Sequence, residues 1–187
     1  METEAVDKGD FNPYAAPTAR LQDTAVDGSE PAFFPVTLLK LSVMSLVTFG
    51  LYEIYWFYKN WKCVQRHGDD VNAPIRALFY PLVSYPLYRR IRDRARDVGV
   101  DRHLWAGSLA IATFVLSMLW RLPSAWWLVG LLTFIPILAV QRVVNDINRV
   151  AAPDADRNAR FGGWNIFGLV VGGILLALAL VGTFADE

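Results

Sequence analysis

The sequence has a single cysteine, Cys63, so an internal disulfide framework is excluded. It has two histidines, His67 and His103, too few for a histidine-rich metal site. Cys63 and His67 stand four residues apart, but no third or fourth ligand accompanies them. Charge is scarce: Asp, Glu, Lys and Arg make up 19% of the chain, against about a quarter in an ordinary soluble domain. The 18 basic residues balance the 18 acidic ones. That excludes a strongly basic nucleic-acid binder and an acidic disordered chain. No G-x-S-x-G, H-E-x-x-H or phosphate loop occurs. We therefore expect no catalytic residue, cofactor or metal, and a protein that is not an enzyme. No secretory leader is expected, because residues 1–31 set seven acids against Lys8 and Arg20 and hold no apolar run. The first apolar run is then expected to act as an uncleaved anchor.

What the chain has in excess is hydrophobic residues, 54% of the total, gathered into long runs with most charges between them. This predicts an all-α, polytopic membrane helix bundle of four to five hydrophobic helices behind a disordered acidic N-terminal tail, 1–31. The hydrophobic segments fall near 36–61, 74–90, 104–120, 125–144 and 164–184. The first is long enough to span as one helix of about 39 Å, with Lys40 snorkelling near an interface and Thr48-Phe49-Gly50 as a kink or break. Beyond Gly50 it turns aromatic, in the manner of an interfacial belt. The second is centred on 77–88, is short and carries Pro81 and Pro86, so it either spans or re-enters. Trp105 and Trp120 bracket the third, Pro136 kinks the fourth, and the fifth holds no charge.

Cytoplasmic loops are rich in Lys and Arg. Arg142, Arg149, Arg157 and Arg160 put the loop 142–163 inside and the C-terminus outside. The front half leaves three arrangements. Five spans give twelve basic residues inside against five outside, with Lys40 uncounted. A non-spanning second segment gives fourteen against three, and a first segment that also folds back at Gly50 gives sixteen against one. The charge bias favours the re-entrant arrangements, and the length of the first segment favours five helices with the tail inside.

The stretch Thr48-Phe-Gly-Leu-Tyr-Glu-Ile-Tyr-Trp-Phe-Tyr58 resembles T-x-G-x-Y-x-x-Y-W-x-Y, the signature of a family of small, uncharacterised bacterial inner-membrane proteins. The matching positions are Thr48, Gly50, Tyr52, Tyr55, Trp56 and Tyr58. The resemblance covers roughly residues 36–97 and implies a second hydrophobic helix soon after the first. It implies location and architecture, not activity. Asn12-Pro-Tyr-Ala-Ala-Pro17 is similar to leaders that precede a first membrane helix from the cytoplasmic side.

Four groups of residues stand out. Glu53, with Tyr52, Tyr55 and Trp56 nearby, is an acid in a hydrophobic segment and a functional-site candidate by default. It either takes a proton or cation, or sits at headgroup level bonded to a tyrosine hydroxyl. Arg142, Asn145, Asp146 and Asn148 lie on consecutive turns and combine guanidinium with amide donors suited to a headgroup or phosphate, or else form a solvated helix end. Arg89, Arg90, Arg92, Arg94 and Arg96 surround an apolar stripe of Leu87, Tyr88, Ile91, Ala95 and Val98, as in an interfacial helix on anionic lipid. Gly168 and Gly172 form a G-x-x-x-G for close helix packing, within the chain or between copies. The expected partners are membrane lipids with anionic headgroups, and either a second copy or a membrane-protein partner, but not nucleic acid. The main expectation is a non-enzymatic bacterial inner-membrane protein, with a transporter or channel subunit as the alternative.

Overall fold

A computed structural model describes residues 30–122 and 124–185. Most of the acidic tail, including the 12–17 motif, lies outside them. All regular elements among the described residues are helical: α1 (Leu38–Val47), α2 (Leu51–Arg66), α3 (Ala73–Leu78), α4 (Tyr80–Asp97), α5 (Ala106–Leu119), α6 (Trp127–Gly130), α7 (Phe134–Ala151) and α8 (Gly163–Ala185). Short 3-10 turns at Ser124–Trp126 and Leu131–Thr133 flank α6.

Among the described residues two helices, not four or five, are long and apolar enough to cross a membrane: the run Trp127–Ala151 and α8. Two of three breaks, together with the shortness of α5 at 14 residues, account for the difference. The first is at 48–50. The Thr48 hydroxyl donates to the Met44 carbonyl at 2.6 Å and accepts from the Tyr52 N–H at 3.0 Å, closing α1 and opening α2 with one side chain. Phe49 and Gly50 both take positive φ, 53° and 81°. The Gly50 N–H returns to the Ser45 carbonyl at 2.9 Å, a left-handed helix stop of the kind glycine supplies. The expected continuous helix over 36–61 is therefore two helices.

The second break runs through 79–83. Pro81 and Pro86 lack the N–H that would continue the ladder. The chain interrupts at Phe79 and kinks at Val83, with φ −114° and ψ 20°. The segment near 74–90 is thus a bent pair, α3 and the start of α4, and not one helix long and apolar enough to cross. The third break follows Trp120. Pro136 occupies the first turn of α7 and cannot donate to the Leu132 carbonyl. The backbone tightens into the 3-10 turn just before it.

The breaks make three hairpins, α1/α2, α3/α4 and α5/α7, whose turns meet at one end, the apex. There Phe49 packs edge-on to Trp120 at 6.1 Å and stacks with Trp127 at 6.4 Å, while Tyr80 reaches Glu53. Their open ends meet at the opposite end, the base, where ion pairs Arg66–Glu30, Arg90–Asp69 and Arg102–Asp146 join different elements at 2.7, 2.5 and 2.8 Å. Between the two lies a core of Trp56, Phe57, Trp61, Tyr88, Ile91, Ile137 and Ile147. Phe57 stacks on Tyr80 at 4.7 Å and leans on Tyr88 at 5.9 Å.

Helix α8 runs from base to apex along α1. Gly168 meets the Met44 methyl, and Gly172 lies so close to the Val47 carbonyl that a Cβ there would overlap it. The G-x-x-x-G is therefore occupied within this chain. The rest of α8 is open: only 6% of its apolar window is buried, against half of the window in Trp127–Ala151.

Candidate functional site

Glu53 follows the left-handed turn at Gly50 by three residues, so its position is set by the first break. Its backbone N–H bonds to the Gly50 carbonyl at 2.9 Å. Its carboxylate is 1% exposed and accepts from the Tyr80 hydroxyl at 2.8 Å through Oε2. No ion pair reaches it among the described residues. It borders a cavity of about 180 Å³ where the three turns meet, walled by Phe49, Leu51, Trp120 and Leu131, with Ser117 and Thr133 as further polar neighbours. The bond to a tyrosine hydroxyl expected for it is present. Glu53 is enclosed by protein at the end remote from the charges.

The aromatic neighbours divide. Tyr52 and Trp56 are buried, whereas Tyr55 is 45% exposed with the Lys59 ammonium over its ring. Trp56 donates its indole N–H to Gln141 at 2.5 Å, so it serves the packing of α2 on α7 and not the Glu53 cavity.

The polar cluster of α7 does not converge as a headgroup site. Asn145 donates to the Val36 carbonyl at 3.0 Å, and Asn148 both donates to the Phe33 carbonyl at 2.9 Å and accepts from the Phe33 N–H at 3.2 Å. Gln141 donates towards the Phe34 and Val36 carbonyls at 3.3 Å each and to Asn145 at 2.8 Å. From α2, Asn60 accepts from the Phe34 N–H at 3.2 Å. These amides form a clamp on the non-helical segment 32–37, whose buried backbone has no ladder of its own. Asp146 is held by Arg102 and Arg149, at 2.8 and 3.3 Å. Arg142 points outward, exposed. Sequence reasoning misses Gln141 and Asn60, although an amide isolated in an apolar or aromatic run is the signal for such a clamp.

Lys40 is corrected as well. It does not snorkel but is 2% exposed, donating to Asn158 Oδ1 at 2.8 Å and the Arg160 carbonyl at 2.7 Å. Half a turn of the Asn165 amide brings a third oxygen to 3.1 Å. Lys40 thus fixes the loop that leads into α8.

The arginine stripe behaves as its periodicity predicts. Leu87, Tyr88, Ile91 and Ala95 are buried, with Arg89, Arg90, Arg92, Arg94 and Arg96 around them. Asp93 is shared by Arg89, Arg92 and Arg96 at 3.6, 2.9 and 3.8 Å. Arg90 and Arg94 border a groove of about 280 Å³ with His67, Asp69 and Phe33. A second cleft at the base, about 370 Å³, has Pro35 and Leu38 on one wall and Arg149 and Arg157 on the other. Cys63 sits at this end, buried beneath Arg66, whose guanidinium lies 3.1 Å from the sulfur. Burial pushes its thiol pKa up, and the Arg66 charge pulls in the opposite direction. Among the described residues no group of His, Cys, Asp and Glu is arranged to hold a metal ion. No protein-family model, curated protein or solved structure matches the chain.

Proposed function

We propose that this is a non-enzymatic membrane protein whose hairpins enter and leave the bilayer by one face, with a basic base that gathers anionic lipid headgroups. One observation carries the reading: charge is segregated along the long axis. Among the described residues Arg121 is the only Lys or Arg on the apex side, while Arg66, Arg90, Arg94, Arg102, Arg149 and Arg157 all lie at the base. The surface between is apolar, with Leu82, Ile111, Val115, Leu178 and Val181 each half or more exposed or close to it. A band of that kind on a single chain fits lipid contact.

Helices α1 and α2 are about 15 and 24 Å long, short of the ~30 Å hydrocarbon core, which suits hairpins returning to their own side. This is the arrangement in which the basic bias reaches sixteen against one, and it places the base in the cytoplasm and the end of α8 outside. The resemblance of 48–58 to small bacterial inner-membrane proteins agrees with that membrane.

Basic residues near an anionic surface contribute about 1 kcal/mol each. We expect native mass spectrometry of the full chain to retain anionic over zwitterionic phospholipid. Replacing Arg89, Arg90, Arg92, Arg94 and Arg96 together by Gln should remove most of that preference. Undiminished preference in the five-fold variant would overturn the proposal.

A further inference from the structure

We infer that the cavity beside Glu53 is a binding site for a small organic ammonium ion. The cavity forms where the turns of the three hairpins meet, and each contributes a wall: Gly50 and Glu53 from the first, Tyr80 from the second, Trp120 and Thr133 from the third. Its one carboxylate is that of Glu53, almost wholly enclosed. Oε2 takes the Tyr80 hydroxyl, and Oε1 has no hydrogen-bond partner among the described residues. A carboxylate removed from water is stable as an ion only when paired, and acids at such positions mark pathways and ligands. The protein supplies no cation here, since every ion pair among the described residues lies towards the base. Such an acid either takes up a proton or pairs with a cation that binds, and the open Oε1 leaves a place for the second.

The other walls select its chemistry. Hard metal ions take six or more oxygens. The lining side chains offer fewer, one carboxylate and the hydroxyl oxygens of Tyr80, Ser117 and Thr133. Phe49 and Trp120 line it instead, and aromatic walls around one carboxylate favour an alkylated ammonium. At about 180 Å³ the space suits a few carbons with a charged nitrogen and excludes a phospholipid. Leu51 and Trp120 at the rim are 67% and 45% exposed, so the entrance faces the apolar belt. The ligand is therefore an amine able to partition into lipid.

The test titrates the purified full chain, in detergent micelles, with n-butylammonium, tetramethylammonium, potassium and 1-butanol, and follows tryptophan emission. Saturable binding of butylammonium is expected, with no saturable response to potassium or to the neutral alcohol. Tetramethylammonium reports whether donor hydrogens on nitrogen are required. Glu53→Gln keeps the shape and an acceptor for Tyr80, and should weaken butylammonium at least tenfold. Ser117→Leu narrows the cavity without touching the acid and should weaken it comparably, so one misfolded variant leaves the test standing. Absence of saturation in the native chain, equal binding of 1-butanol, or unchanged affinity in Glu53→Gln would each overturn the inference. None of these outcomes bears on lipid preference at the base, which is measured separately.

Discussion

Replacing Gln141 by Leu probes the clamp that seats the entry segment on the bundle. Leu matches glutamine closely in volume, so a cavity term is nearly absent and the cost falls on stranded polar groups. Trp56 Nε1–H loses its acceptor at 2.5 Å, and the Phe34 carbonyl loses its donor at 3.3 Å. The Val36 carbonyl keeps Asn145 at 3.0 Å. A buried group left without a partner costs about 1–3 kcal/mol, so two of them amount to about 2–4 kcal/mol once the easier burial of Leu is set against them. Asn145→Leu strands less, because Gln141 still reaches Val36, and should cost about 1 kcal/mol. The two side chains share a bond at 2.8 Å, so the double variant should depart from additivity by 0.5 kcal/mol or more, on the order of neighbouring residues elsewhere. Unfolding in mixed micelles followed by tryptophan emission gives these values, and limited proteolysis reports release of 32–37. A Gln141→Leu protein within about 0.5 kcal/mol of the native one, the range of ordinary surface changes, would refute the reasoning.

Other outcomes follow from single contacts. Gly50→Ala puts a Cβ on a residue at φ 81° and should destabilise by about 1–2 kcal/mol, measured by the same unfolding assay. Gly172→Val drives a side chain into the Val47 carbonyl and should separate α8 from α1 at a cost of about 1–3 kcal/mol, whereas Gly173→Val, with open space around it, should be nearly silent. Cys63 should react slowly with maleimide at neutral pH while the fold is intact. Its thiol is shielded and its pKa raised, so the rate should climb on moving to alkaline pH and jump on denaturation. Fast labelling of the native protein at neutral pH would contradict the buried position.

Local pattern makes part of this structure readable. The stripe Leu87, Tyr88, Ile91 and Ala95 lies buried as its helical spacing predicts, and α8 begins and ends within a residue of the charge-free run 164–184. Trp105 and Trp120 do flank α5. The departures come from backbone events and distant partners. A helix of 36–61 is favoured by its apolar length, but two successive positive-φ residues at 49 and 50 reverse it, and hydropathy carries no record of dihedral angles. The proline pair at 81 and 86 raises the re-entrant option, yet where the bend falls depends on Phe79 and Val83. At the candidate site, Glu53 is conspicuous as an acid among aromatics. Its partner Tyr80 lies 27 residues on across a hairpin that the spacing does not reveal. The α7 amides are conspicuous too, but their use is hidden, because the backbone they serve is more than 100 residues away.

The most direct test of the account is the sidedness of two base loops that five spans would place on opposite faces. In a Cys63→Ala background, Asp70→Cys and Asp154→Cys each present a thiol at an exposed position. Both variants would be treated with a membrane-impermeant maleimide in intact and in permeabilised spheroplasts. The account predicts that both label only after permeabilisation, since the hairpins return to one basic face. Labelling of the Asp70→Cys variant in intact cells, with the Asp154→Cys variant still protected, would contradict it and restore a chain that crosses between them.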